Sequence, residues 1–456
     1  MSKIALVFLM VFIGCVVATF AYSGASSFVL YQFVYFLNPD YRWWAAEIPG
    51  ISYSFIASIL MLISLGIGYR KYATLAPWGE QTAFKWIIAL LLYHYLVYFW
   101  ALNPAVHYQF TFQFTKLVVI VFVAYKLVNS PKILDVSIWA YLVGATYIGY
   151  LATSVGRGAG ARVEGIGMVD APDANDTAAA LVPAAVFLMY YAWMGNKKVK
   201  LLCFFCGALI ANGLVLINSR GSFVGVVVSA GLFLLYMMFS RYRKEGQRAM
   251  AVVIIILGIS GGLYVADDQF WDRMRTMENV EDESTSGSQR INYWLAALDI
   301  SKDYPLGAGI YGFNFLSDVY LPPEYQGGEG GKSVHSLWFQ GLSEVGWPGI
   351  GLFIIALVSL FGLSRKAKKW ALENDENVSY FKLLALECAL LGYLAAGSFI
   401  NRFRAEILYW MILFLAIGIN VYFLQRKKAE KAAEFKTQRD AQSKTPIPSY
   451  SKEPSR

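Results

Sequence analysis

The positions of four arginines suggest a site for an anion. Arg220 lies in LINSRGSFVGVV, Arg290 heads an amphipathic helix within a long polar loop, and Arg402 and Arg404 lie in FINRFRAE. A guanidinium at membrane depth is costly unless it snorkels to the interface, pairs with an acid or faces a polar cavity. Arginines that converge would suit phosphate oxygens, and the small Ser219 suits a tight turn beside such a ligand. Snorkelling is an equally good account of Arg220.

Three histidines are the candidates for acid–base chemistry. His335 follows the glycine-rich stretch QGGEGGKS and precedes an apolar helix. There it could be partly desolvated and act as a general base near neutral pH. His94 lies among aromatic residues in LLYHYLVYF, which favours a buried structural role. His107, in NPAVHYQF, is interpreted as a surface residue of a short loop.

Carboxylates cluster in MVDAPDANDTAAALVPA, directly before an apolar segment. Asp173 or Asn175 would be an ordinary helix N-cap there. A metal site built on Asp170, Asp173 and Asp176 is the less favoured alternative, because no histidine or further acid joins them. The sequence has no P-loop, dinucleotide fingerprint, zinc-ligand spacing or nucleophile elbow, so we expect no cofactor and no metal.

The elements that must position these residues are membrane-spanning helices. The 456 residues are 57% hydrophobic and only 15% charged, whereas roughly a quarter of the residues in a soluble domain are charged. Long apolar runs predict an all-α polytopic membrane protein rather than a β-barrel. We place the spans at 4–22, 25–37, 51–69, 86–101, 111–128, 134–153, 176–194, 201–218, 222–240, 250–266, 348–363, 381–400 and 406–424. The second is short and could be half of a broken span, so we expect 12 or 13 spans.

The distribution of basic residues predicts the orientation of the spans in the membrane. Lysines and arginines concentrate in one alternate set of short loops, such as the one containing Lys197 and Lys198, which places that set in the cytoplasm. The net charge of +8 is therefore not a sign of nucleic-acid binding. Residues 267–347 would form one large extracytoplasmic loop with an amphipathic helix near 289–303. The transmembrane domain would cover 1–424, and 425–456 would be a disordered cytoplasmic tail.

Three stretches resemble the signature of the O-antigen ligase and O-antigen polymerase superfamily. They are SRGSFVGVVVS, SQRINYWLAALDISKDYPLGAGIYGFN and HSLWFQGLSEVGWPGIGLF, in this order before and within one large loop. The segments FVLYQFVYFLNPDYRW, DAPDANDTAAALVPA and WDRMRTMENVEDESTSGSQRINYW resemble, more narrowly, the exosortase-associated O-glycosylation ligase branch. The similarity covers residues 25–420.

The resemblance implies a glycosyltransferase of the bacterial inner membrane with a GT-C-like helical core and an active site that faces the periplasm. Such an enzyme moves a finished glycan from undecaprenyl diphosphate to an acceptor, which can be lipid A-core, a glycan or a protein. The reaction of the family needs no metal. By motif, Arg220 and Arg290 would hold the diphosphate and His335 would be the catalytic histidine.

Elementary chemistry agrees with these roles. A leaving diphosphate needs cations that offset its developing charge, and a base on the opposite side of the anomeric carbon gives an inverting displacement. Tyr293, Trp294, Trp338 and Phe339 are candidates to pack on a sugar or on the isoprenoid, although packing inside the bundle explains them equally well. An O-antigen polymerase, a protein O-oligosaccharyltransferase and, from another class, a polysaccharide flippase or transporter remain alternatives. The scarcity of charge within the spans argues against a transporter.

Overall fold

The computed structural model describes residues 1–158, 162–240, 245–275, 286–326 and 331–443. Within these ranges the regular structure is helical, apart from one isolated bridge between Met168 and Ala171. The first helices are α1 (Lys3–Ala21), α2 (Ser26–Leu37), α3 (Tyr53–Ile67), α4 (Tyr69–Leu75), α5 (Thr82–Val97), α6 (Pro104–Leu127), α7 (Pro131–Val155), α8 (Ala174–Ala179), α9 (Val182–Met194) and α10 (Lys197–Ile217). The others are α11 (Arg220–Phe239), α12 (Gln247–Val265), α13 (Asp268–Arg275), α14 (Ser286–Asp303), α15 (Gly312–Tyr320), α16 (Leu337–Glu373), α17 (Asn377–Gly397), α18 (Glu406–Ile419) and α19 (Gln425–Ser443).

The all-α polytopic membrane fold is confirmed, but the predicted number of spans is too high. Among the described residues, 10 helices are long and apolar enough to cross a membrane, or 11 if the bent pair Tyr53–Ile67 and Tyr69–Glu80 is one span. The predicted spans 25–37 and 86–101 correspond to α2, with 12 residues, and α5, with 16. Both are shorter than the roughly 20 residues that a span needs. Hydropathy counted α2 because apolar residues buried by protein resemble those that face lipid.

The first part of the tail, which was predicted to be disordered, is helical. Residues Gln425–Ser443 form α19, which continues the last span through a π-helical turn at Asn420–Leu424. Arg426 in α19 pairs with Glu376 before α17. The remaining tail residues, 444–456, lie outside the described residues, as do residues 327–330 of the glycine-rich stretch.

α17 and α18 form the centre of the bundle and are buried along nearly their whole length. α11 packs closely on α17 where Gly225 faces Gly392: a Cβ at Gly225 would lie 2.7 Å from the Gly392 carbonyl oxygen. Small residues at such a crossing let two helix backbones approach each other. This contact holds the first turns of α11, which begin at Arg220, against the bundle.

α16 is broken near its middle, at Gly346. This glycine has φ of +62°, in the left-handed region, and a Cβ there would lie 2.3 Å from the carbonyl oxygen of Pro305. Pro348 has no N–H, and the N–H of Trp347 donates instead to Pro305 O at 3.0 Å. The break therefore requires glycine and changes the hydrogen-bond partners of the helix on both sides.

The carbonyl oxygens released by this break are used to attach the preceding loop. In a continuous helix, the carbonyl oxygens of Ser343 and Glu344 would lie opposite the backbone nitrogens of residues 347 and 348. These oxygens accept instead from the N–H groups of Ala308 and Gly309, both at 2.9 Å. The segment after α14 is thereby fixed to the first half of α16.

We predict that Gly346→Ala destabilises the protein by about 2–3 kcal/mol, because the added Cβ meets backbone atoms at a positive φ. The measurement is the apparent melting temperature in detergent. Gly351→Ala is the matched control on the same helix, because a Cβ there meets nothing within 4 Å. Equal melting temperatures for the two variants would contradict this account of the break.

Candidate active site

Four arginines converge on one cavity at an end of the bundle. The cavity has a volume of about 130 Å³, and we call it the arginine cavity. It is lined by Arg162, Asn175, Ser219, Arg220, Gly221, Arg273, Arg290, Phe399 and Ile400. The structure thus brings together Ser219, Arg220 and Arg290, as the sequence predicted.

The tight turn between α10 and α11 places Arg220. Asn218 ends α10 in the left-handed conformation, with φ of +56°, and α11 begins two residues later. Gly221 permits the close approach of this turn to the opposite wall, because a Cβ there would lie 2.8 Å from the Cβ of Phe399. The first turn of α11 therefore lies at the arginine cavity, where the positive end of the helix dipole favours an anion. Of the two interpretations of Arg220, the structure favours the polar cavity over snorkelling.

Two further arginines were not predicted as site residues. Arg273 lies on α13, which the turn residue Asn218 holds in place by donating to Gln269 O at 3.2 Å. Arg162 lies before α8 and pairs with Glu164 at 2.6 Å. Neither stands at the end of a recognisable apolar segment. The only signal in the sequence is that Arg273 is a basic residue in an otherwise acidic loop.

The arginine cavity carries an excess of positive charge. Burial lowers the pKa of Arg290, and the charges of Arg220, Arg273 and Arg162 lower it further, against the opposing effect of Asp173. Burial and two of the same neighbours also lower the pKa of Arg273. In the described part of the chain, no ion pair joins Arg290 to a carboxylate. Such an arrangement suits a ligand with more than one negative charge.

His335 lies beside this group of arginines, immediately before α16. The φ of His335 is +51°, which is unusual for a residue other than glycine. The surrounding contacts must therefore hold the backbone in this conformation. The next residue, Ser336, is buried, and its N–H donates to Asn401 Oδ1 at 3.3 Å. The His335 ring lies 6.5 Å from the ring of Tyr293, one helical turn after Arg290 on α14.

The surroundings of His335 disfavour its protonated form. Burial lowers its pKa, and the positive charges of Arg290 and Lys332 lower it further, whereas Asp173 acts in the opposite direction. This shift favours the neutral imidazole. A neutral imidazole can accept a proton, as a general base must.

The predicted aromatic residues lie in two different environments. Trp294 stacks on Phe339, with ring centroids 5.6 Å apart, and lies 6.2 Å from Phe399, a wall of the arginine cavity. Trp338 instead donates to Ser398 Oγ at 2.9 Å and packs against Phe353. Trp294 thus borders the arginine cavity, whereas Trp338 packs inside the bundle, as its alternative interpretation proposed.

Arg402 and Arg404 have buried carboxylate partners instead of a place in the arginine cavity. Arg402 pairs with Asp176 of α8, and Arg404 pairs with Glu344 of α16. Gln340 also donates to Glu344 Oε1 at 3.1 Å. These pairs tie the connection between α17 and α18 to two other helices. The idea that both arginines join the predicted anion site is therefore corrected: neither lines the arginine cavity.

The acidic cluster is divided among separate partners. Asp173 Oδ1 accepts from the N–H groups of Asn175 (2.6 Å) and Asp176 (3.1 Å), which confirms the predicted N-cap. Asp170 accepts from Tyr35 and from the N–H of Glu406 at 2.9 Å. No group of three or more metal-binding side chains is found among the residues that the structure describes.

The other two histidines are structural. His94 is buried and its Nδ1 lies 2.8 Å from Leu90 O, which confirms its predicted role. The prediction that His107 lies at the surface is wrong, because it is buried. Its Nδ1 accepts from the N–H of Ile310 at 3.0 Å, and its Nε2 lies 2.7 Å from His94 O. The loop before α15 folds over His107, and hydropathy could not show that contact.

The fold and the site together define a polytopic membrane protein with a cationic cavity where its helices end. Residues 205–354 match the family model described as O-Antigen ligase. The match runs from α10 into the second half of α16 and includes Arg220, Arg290 and His335. It confirms the resemblance to the O-antigen ligase superfamily and supports an O-antigen ligase-like function. The exosortase-associated branch stays a prediction, and no curated protein matches the chain.

We predict that Arg402→Gln destabilises the protein by about 3 kcal/mol, since it leaves the buried Asp176 without its charged partner. The double variant Arg402→Gln, Asp176→Asn should recover much of the lost stability. Apparent melting temperatures in detergent measure both effects. Arg275→Gln is the control: this arginine is 74% exposed and should change stability by less than about 0.5 kcal/mol. A double variant less stable than Arg402→Gln would contradict the role of this pair.

Proposed function

We propose that the chain is a lipid-carrier-dependent glycosyltransferase of the O-antigen ligase type. It would transfer a glycan en bloc from undecaprenyl diphosphate to an acceptor hydroxyl. The observation that carries this proposal is the convergence of four arginines on one cavity where the helices end. The diphosphate of a lipid carrier lies at the membrane surface, so the protein needs cations at that depth to bind it.

The arginine cavity would hold the diphosphate while the glycosidic bond breaks. Negative charge then grows on the leaving diphosphate, and the guanidinium groups and the first N–H groups of α11 stabilise it. These groups are in place before the reaction, so little reorganisation is needed. The arginines supply the positive charge that a divalent cation supplies in other phosphate sites, and we propose a metal-independent reaction on that basis.

His335 would act as the general base. Its neutral imidazole can remove the proton of the acceptor hydroxyl as that oxygen attacks the anomeric carbon. An attack from the side opposite the departing diphosphate inverts the anomeric centre. Tyr293, whose ring is 6.5 Å from the His335 ring, follows Arg290 by one helical turn of α14. His335 would therefore lie close to the leaving group, although it does not line the arginine cavity.

The aromatic wall offers a surface for the first sugar of the donor. Trp294 follows Arg290 by four residues and lies against Phe399, which lines the arginine cavity. Aromatic faces pack well on the apolar faces of sugar rings, and the same surface could contact the isoprenoid. We therefore keep Trp294 as a proposed substrate contact and leave out Trp338, which packs inside the bundle, and Tyr293, which is buried against residues of α15.

The helix directions support a periplasmic active site in the inner membrane. α10 begins at Lys197 and ends beside the arginine cavity. Its 21 residues span roughly 30 Å, the thickness of the hydrocarbon core. The lysines at its start and the arginine cavity therefore lie on opposite sides of the membrane. The positive-inside rule assigns the lysines to the cytoplasm and the arginine cavity to the periplasm.

Two related activities use the same donor. An O-antigen polymerase would join repeat units, and a protein O-oligosaccharyltransferase would use a protein hydroxyl. A flippase would bind the same diphosphate without breaking its bond to the sugar. Reconstitution with a carrier-linked glycan and a panel of lipid A-core, glycan and protein acceptors separates these activities, because a flippase forms no new glycosidic bond with any of them.

We predict that Arg273→Gln lowers the rate of glycan transfer by about 10²–10³-fold, because one cation of the diphosphate site is lost. Arg275→Gln, two residues away, should have little effect, because Arg275 is exposed and pairs with Asp272. Both variants are assayed in proteoliposomes with a carrier-linked glycan. Equal rates for the two variants would exclude Arg273 from the diphosphate site.

We predict that His335→Ala abolishes transfer but leaves folding and donor binding intact. In the unmodified enzyme, the lowered pKa keeps His335 unprotonated to a lower pH than an ordinary histidine, so the acid side of the pH–rate profile should be shifted downward. Lys332→Gln removes a neighbouring positive charge and should raise the pKa of His335. The acid limb of the pH–rate profile should then move to higher pH, so that activity is lost earlier on acidification. A profile that does not move with Lys332→Gln, or transfer that persists in His335→Ala, would contradict the assignment of the base.

A further inference from the structure

One apolar face of α14 packs against protein, and apolar residues on another side of the helix are exposed. Tyr293, Ala296, Ala297 and Ile300 pack in a cluster with residues of α15 and its flanking segments. On another side of the helix, Ile291 and Leu295 are exposed, and Leu295 has an exposed fraction of 53%. A helix in a loop surrounded by water would be expected to carry polar residues on that side.

The exposed face of α14 borders a depression that leads to α16. This depression has a volume of about 290 Å³ and is lined mainly by Leu295, Leu298 and Trp347, with Asp299, Ser301 and Lys302 at its side. Trp347 is 55% exposed and opens the second half of α16, just after the break. We call Ile291, Leu295, Leu298 and Trp347 the α14 patch.

The α14 patch adjoins an exposed apolar surface of α16. α16 is one of the candidate spans, and Ile354 and Val358 are exposed on it seven and eleven residues after Trp347. These intervals place all three side chains on one face of the helix. Tryptophan is typical of the membrane–water interface, and a lysine such as Lys302 can extend its amine toward the headgroups.

We propose that the α14 patch is embedded in the membrane surface, so that α14 is an interfacial helix in contact with the acyl chains of one leaflet. The partner is the lipid bilayer itself. This explains why apolar residues occupy both faces of a helix in a polar loop, and it sets the depth of Arg290, which precedes Ile291. The proposal does not depend on the reaction that the arginine cavity performs.

The test places a fluorescent nitrobenzoxadiazole label on Leu295→Cys of the full chain in lipid nanodiscs. Val319→Cys is the matched control, because Val319 is an apolar residue of the same loop, 75% exposed, on α15. The unsubstituted chain, treated in the same way, gives the background from its four cysteines. Ile291→Cys gives a second position in case Leu295→Cys fails to fold.

We expect the label at position 295 to be quenched by doxyl-labelled lipid and to be about threefold less accessible to aqueous iodide than the label at position 319. Equal iodide quenching at both positions would overturn the proposal. Protection from iodide without quenching by doxyl lipid would show that protein covers the α14 patch, and would also overturn it.

Discussion

Repulsion among four partly buried guanidinium groups is the interaction on which the candidate site depends. Burial and neighbouring arginines lower the pKa of both Arg290 and Arg273, which means that the protonated cluster is held at a cost in free energy. The four side chains come from α11, α13, α14 and the segment before α8, so no movement of a single element relieves the repulsion. A multivalent anion would relieve it, and the unfavourable contacts of the empty cavity become favourable ones on binding.

Two arginines near the arginine cavity that do not line it are paired with buried carboxylates. Arg402 and Arg404 are three and five residues beyond the cavity wall at Phe399, and each is held by a buried carboxylate. Their partners, Asp176 and Glu344, belong to helices far apart in the sequence. Arginine thus has two uses here: one group of arginines lines the arginine cavity, and another forms buried ion pairs that fix the elements around it.

This division marks what the sequence could and could not predict. Ser219 and Arg220 could be predicted because they stand where one apolar segment ends and the next begins, and hydropathy locates such points. Arg290 could be predicted because it heads an amphipathic helix in a polar loop. Arg402 and Arg404 also stand between two apolar segments, but their acidic partners are distant, and no local pattern shows which arginine has a partner. Arg162 and Arg273 were missed for a related reason, since their place in the site depends on contacts between separate segments.

The helices show the same limit. α2 was predicted as a possible span because its residues are apolar, yet Phe28, Leu30 and Phe36 are buried in protein. Hydropathy reports that a side chain leaves water but not whether lipid or another helix receives it. The break in α16 was also beyond local prediction. Glycine and proline at 346 and 348 indicate a change of direction, but the loop that uses the released carbonyls is known only from the fold.

The break in α16 also links the segment that follows α14 to the half-helix that His335 precedes. His335 precedes the first half of α16, whereas Arg290 lies near the start of α14, and 44 residues separate them in the chain. The hydrogen bonds from Ala308 and Gly309 to the released carbonyls join the segment after α14 to that half-helix. A continuous helix would offer no free carbonyl for this purpose. The loss of two helical hydrogen bonds within α16 is therefore compensated by bonds that hold the two halves of the proposed catalytic apparatus together.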